Sequence, residues 1–139
     1  MLSQECILEL QTSWLPNVTD QGLTRVIELL EKGSPLLIHG SFTRAVPMGC
    51  LATQLGWNHP QTAHLTLDAG ICWLNRVAGL NPATSLVIRE WDRCGAADYE
   101  IRTDLLATFK DERARREAAP KTPNHQAAGR RLLAAGCQV

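Results

Sequence analysis

Cys50, His59, His64 and Cys72 form the closest grouping of metal-capable side chains, in the order Cys-x8-His-x4-His-x7-Cys. Two thiolates and two neutral imidazoles would suit a tetrahedral zinc ion. The spacing departs from recurrent zinc frameworks, because no Cys-x2-Cys knuckle presents two thiolates from one turn. Cys50 and Cys72 also fall on or beside apolar helical faces, where a small buried thiol is the ordinary finding. A second chemistry open to Cys50 is nucleophilic. It lies near the start of an expected helix, which favours the thiolate, and His39 or His59 would serve as its base.

Other reactive constellations are incomplete. The run Leu36 to Phe42, LLIHGSF, offers a histidine and a serine, but the chain has no Gly-x-Ser-x-Gly elbow to expose a nucleophile. No glycine-rich loop that would cradle a phosphate follows a strand, with Gly33 and Gly40 isolated. Asp68, Glu90 and Asp92 are each explained as acids on helix surfaces. No cofactor is implied.

The elements that would position these groups are helical. Between Thr66 and Arg93 the pattern predicts two helices joined by a tight turn. Thr66 is placed as an N-cap, Asp68 in the first turn, and Leu67, Ile71, Leu74, Val77 and Ala78 on one apolar stripe, with Gly79 as the stop. Asn81 and Pro82 then read as a cap and first helical residue. Ile88 and Trp91 are expected to return onto Ile71 and Leu74, a corner with the outline of a helix-turn-helix.

That corner carries two functional expectations. As a nucleic-acid reader its second helix would present Arg89 and Arg93 to base edges or phosphates. Yet Leu86 and Val87 would stand outward where Arg, Asn or Gln belong. As a protein-binding face the same features are an advantage. Leu86, Val87, Ile88 and Trp91 cover more of the helix than one core stripe needs, and Trp73 lies off its own stripe as a candidate anchor. The partner-binding residues predicted here are Trp73, Leu86, Val87, Arg89 and Arg93, and the partner is another protein or a second copy of the chain.

The rest of the chain supports an all-α fold of five or six short helices in a single compact domain. A first helix begins after Ser3 with Ile7, Leu10 and Trp14 on one face and ends at Pro16. A second, capped by Asp20, carries Leu23, Val26, Ile27 and Leu30 at helical spacing and stops at Gly33. The segment Pro35 to Ile38 is read as a turn or short helix for want of a partner strand, and Pro47 and Gly56 bracket a further short helix. A loop, Trp57 to Leu65, leads to the central pair. The last helix runs from about Asp98 to Ala119, with Tyr99, Ile101, Leu105, Leu106 and Phe109 apolar in its first half. Its second half has pairs at i,i+4 (Asp111 with Arg115, Glu112 with Arg116, Arg113 with Glu117) and is expected to project into water. Residues 1–119 are thus assigned to a helical domain and 120–139 to a tail.

At 139 residues the chain is long enough to bury about two-thirds of its unfolded surface without covalent staples. Its five cysteines are an odd set without paired spacing, and Met1 to Leu15 contains Glu5 and Glu9 instead of a basic stretch followed by an apolar one. Both features predict a cytosolic protein with reduced thiols. No apolar run approaches the roughly 20 residues of a membrane span, so no membrane partner is expected. The formal net charge is zero. It is unevenly distributed, because from Lys110 onward seven cations face three acids, making a basic C-terminal extension.

Overall fold

The structure, a computed structural model, describes residues 1–119; the expected tail, residues 120–139, lies outside the described residues. The described chain is mostly helical, with six α-helices and a small two-stranded sheet. Helix α1 (Gln4–Glu9) starts where Ser3 Oγ accepts the Cys6 amide. The path continues through a π-helical turn, Leu10–Trp14, and a 3-10 turn, Leu15–Asn17, that contains Pro16. Helix α2 (Asp20–Lys32) follows, capped by Thr19, one residue before the expected Asp20. Leu23, Val26, Ile27 and Leu30 are all buried, and Gly33 closes the helix in the left-handed region at φ 59°.

Pro35 and Leu36 form the expected turn, with Leu37 N–H donating to Ser34 O at 3.2 Å, but Leu37 then bridges to Gly49 and short strands follow that the pattern did not predict. Ile38 N–H donates to Gly49 O at 3.1 Å and Gly49 N–H to Leu36 O at 3.0 Å. Strand β1 (Thr43–Ala45) then pairs antiparallel with β2 (Met48–Gly49). Pro47 belongs to the turn between them and does not open a helix. Helix α3 (Leu51–Trp57) begins only after Cys50. The buried Gln54 side chain ties the segment to α3, its amide donating to Leu36 O at 3.1 Å and Pro47 O at 3.0 Å.

Helix α4 (Ala69–Cys72) runs into a second π-helical turn, Trp73–Val77, in which Ala78 N–H returns to Trp73 O at 2.9 Å. Helices α3 and α4 cross where neither has a side chain to separate them. A Cβ on Gly56 would collide with the Ala69 carbonyl, and one on Gly70 with the Thr53 backbone and hydroxyl. Thr66 lies outside this helix, so it is not the N-cap that the pattern suggested.

The tight corner is also corrected. Residues 78–85 form an irregular connection with Gly79 at φ 72°, and Pro82 lies within it. Helix α5 (Leu86–Cys94) starts at Ser85, whose hydroxyl accepts the Ile88 amide, and its main helical neighbour is α1, not α4. Helix α6 (Tyr99–Ala118) has Asp98 as its cap, close to the expected bounds. Tyr99 is exposed, contrary to its place on the expected stripe. The second half of α6 is exposed over most of its surface, as expected, but it is anchored on one side. Glu112 is buried, and Arg116 reaches back to Leu15 O and Val18 O, both at 2.8 Å, and to Asp20 at 2.8 Å. Of the expected i,i+4 pairs, Glu112 with Arg116 forms, and Arg115 adds an i,i+3 bond to the same carboxylate. One apolar core joins α1, α2, α3, α5 and α6 with the π-helical turn that extends α4, and Trp14, Trp73, Trp91 and Phe109 are fully buried in it.

Candidate functional site

The predicted binding face is largely interior. Trp73 has no exposed surface, Val87 almost none, and Leu86 is half-buried against the core. Trp73 sits with its ring centroid 5.3 Å from that of Trp14, the planes tilted by 59°, an arrangement favourable to two aromatic quadrupoles. These residues cannot form an open docking face on the folded chain.

Two causes rotate them inward. The first is Glu9, at the end of α1. Its Oε1 accepts the Leu86 amide at 2.8 Å, and its Oε2 accepts the Ser85 hydroxyl at 2.6 Å and the Trp14 indole N–H at 2.9 Å. A carboxylate from another helix therefore satisfies donors that the first turn of α5 leaves unpaired, and its charge complements the helix dipole. This fixes the start of α5 and turns Val87, Ile88 and Trp91 toward α1 and the core. Trp91 then donates to Ile38 O at 2.7 Å. The second cause is the α3 and α4 crossing. Ala69 and Gly70 of α4 and Trp73 and Leu74 of the π-helical turn after it form one buried side, so Ile71 and the preceding Leu67 face out.

Helix α5 is thus poorly disposed to meet nucleic acid with its leading turn, where the Glu9 carboxylate already occupies the amide donors that a phosphate would need. Arg89 and Arg93 do remain on the surface, Arg93 beside Glu90 at 3.5 Å. What the correct helix phase adds to the surface is apolar. Leu67 is 56% exposed and Ile71 38% exposed, four residues apart on the outer side of the segment whose inner side is core. The sequence pattern missed this pair because the inward face is centred on Ala69 and Gly70, which bring the backbones together but add little hydrophobic weight. The available signal was the small pair itself, matched by Gly56 on α3.

The metal-capable residues are dispersed. Among the described residues no three His, Cys, Asp or Glu side chains converge on a site able to hold a metal ion. Cys50 is buried just before α3, His59 is half-buried in the turn after it, His64 is exposed, and Cys72 is half-buried on α4. The expected activation of Cys50 is reversed. Burial pushes its thiol up to about 11, outweighing hydrogen bonds around Thr53 and Ala52 that act the other way. Burial and, to a smaller degree, Glu90 and Glu9 push the Cys6 thiol up to about 12. Burial holds His59 below the usual imidazole range, and its Nδ1 accepts the Gln61 amide at 3.1 Å. Both thiols are therefore protonated at neutral pH, the opposite of what nucleophilic catalysis needs.

Searches against family models, curated proteins and solved structures found no match for this chain. Among the described residues no helix is long and apolar enough to cross a membrane.

Proposed function

We propose that this protein is a non-enzymatic interaction module of the cytosol that binds another protein or a second copy of itself. The observation that carries this is the exposure of Ile71 on α4 and of Leu67 in the bend just before it. A buried leucine or isoleucine contributes about 1.5 to 3 kcal/mol relative to an exposed one, and here that gain is left for a partner surface to collect. The element beneath is rigid, because the α3 and α4 backbones meet at Gly56 and Gly70 and the Trp57 indole N–H holds the incoming loop at Leu65 O and Thr66 O, at 3.1 and 3.0 Å. A rigid apolar pair loses less ordering entropy on association than one on a loose loop. The buried, protonated state of Cys50 and Cys6 fits a protein whose thiols serve packing.

The test is Leu67→Glu combined with Ile71→Lys, read by sedimentation across a concentration series and by capture of a partner from cell extract. The variant is expected to retain the wild-type thermal midpoint within a few degrees, about the effect of a surface change on a domain of this size, and to lose association. Leu86→Glu combined with Val87→Lys provides the contrast and is expected to unfold the protein, since Val87 is core. Retention of association by a folded Leu67→Glu, Ile71→Lys protein overturns the proposal.

A further inference from the structure

The segment from α1 to Asn17 and helix α6 run side by side in the same direction and are tied at both ends. At one end the Leu2 amide donates to Asp104 at 2.9 Å and the Met1 ammonium pairs with Glu100 at 2.8 Å. At the other, Arg116 holds Leu15 O and Val18 O. Between the ties a groove opens, bounded by Gln11 and Leu15 on one wall and Thr108, Asp111 and Arg115 on the other, with room for about 300 Å³. Gln11 also lines the neighbouring depression over Ile7 and Leu8, so the two adjoin along α1 and the π-helical turn that follows it. The combined surface carries the apolar Ile7 and Leu8, the latter 58% exposed, and the acids Glu5 and Asp111, while Arg115 on its α6 wall is paired with Glu112.

We propose that this groove receives the Arg130-Arg131-Leu132-Leu133 stretch of the same chain. Beyond Glu117 the sequence has three cations, Lys121, Arg130 and Arg131, and no acid, which complements Glu5 and Asp111. Leu132 and Leu133 are its only adjacent large aliphatic residues and match the exposed Leu8. The tether is long enough. From the end of α6 back to Thr108 is roughly 15 Å of helix, and the chain from Ala119 to Arg130, eleven residues on, reaches up to ~36 Å. Joined to the groove, the stretch acts at the high effective concentration of a short linker, so a modest contact suffices. This occupancy is independent of the Leu67 and Ile71 face, which lies on α4 and the bend before it.

The test uses the full chain with isotope-labelled methyl groups. Resonances of Ile7, Leu8 and Leu15 are followed in wild type, in Leu132→Glu with Leu133→Glu, and in Arg130→Glu with Arg131→Glu. Both variants are expected to shift these methyls while leaving those of Leu74 and Val87 in place, and the wild-type positions are expected to be unchanged by a tenfold dilution. Asp111→Arg is expected to cause the same shift, and adding Arg131→Asp to restore the wild-type position. Unmoved groove methyls in both tail variants overturn the proposal, since the groove is then empty or held for another partner. Methyl positions that change with dilution also overturn it, because the occupant then comes from a second copy.

Discussion

Glu9 Oε2 accepts the Ser85 hydroxyl at 2.6 Å across a separation of 76 residues, so the point at which α5 begins is set from the far end of α1. The same carboxylate takes the Leu86 amide and the Trp14 indole. Glu9→Ala is expected to destabilise the fold by about 1 to 3 kcal/mol, since it leaves buried or half-buried donors unpaired. Glu9→Gln recovers part of the loss, because its single carbonyl oxygen still accepts while its amide faces donors. Urea unfolding measures both, and a loss below about 0.5 kcal/mol for the alanine variant would place the start of α5 under other control.

That bond also explains where sequence and structure part. Helix α2 was legible because everything that defines it is local, with an apolar stripe, an adjacent cap and a glycine stop all within one stretch. The same holds for the bounds of α6. The phase of α5 was not, because Pro82 is an equally good local start, and the Ser85 cap is favoured over it by the distant Glu9 carboxylate. The strands escaped because each is two or three residues long and is held by backbone pairing, β1 with β2 and Gly49 of β2 also with Leu36 and Ile38, to which side-chain pattern is blind. The docking of α6 beyond Phe109 rests on Arg116 and Glu112, charged residues that a hydrophobic pattern assigns to solvent. Of the candidate site, Arg89 and Arg93 were placed correctly on the surface, whereas Trp73 and Val87 were placed outside and belong to the core. Glycine and alanine at the α3 and α4 crossing have the largest effect on geometry for the least apolar signal.

His59 gives the fold a specific acid sensitivity. Burial lowers its folded-state pKa below the unfolded value, so protons bind the unfolded chain more readily. Its contribution to stability is therefore intact above the unfolded imidazole pKa of about 6.5 and is lost as pH falls from there toward the folded value. Protonation would also place a second donor against the Gln61 amide. His59→Gln, which keeps an acceptor, is expected to show a smaller fall in thermal midpoint between pH 7.5 and pH 5 than wild type. Equal falls in the two proteins would mean that the acid sensitivity arises at other groups.

Trp14 and Trp73 pack against each other at a tilt in the core, both without exposed surface, yet their indole nitrogens differ. Trp14 Nε1 donates to the Glu9 carboxylate at 2.9 Å, whereas Trp73 Nε1 is, among the described residues, the one buried side-chain polar atom with no hydrogen-bond partner. Replacing either with phenylalanine removes a similar amount of ring and leaves a similar void. The polar consequences are opposite. Trp14→Phe strips a donor from a charged acceptor that also holds Ser85, while Trp73→Phe eliminates an N–H that the folded state keeps away from water at a cost of about 1 to 3 kcal/mol. Trp14→Phe is therefore expected to be the more destabilising of the two by at least about 1 kcal/mol, as read from urea midpoints with unchanged slopes. The double variant tests the tilted ring pair: if the rings contribute beyond their area, its loss falls short of the sum of the singles by about 0.5 to 1.5 kcal/mol. A Trp73→Phe protein as unstable as Trp14→Phe would show that the Trp73 nitrogen has a partner after all, and that the π-helical turn carrying it is held by more than packing.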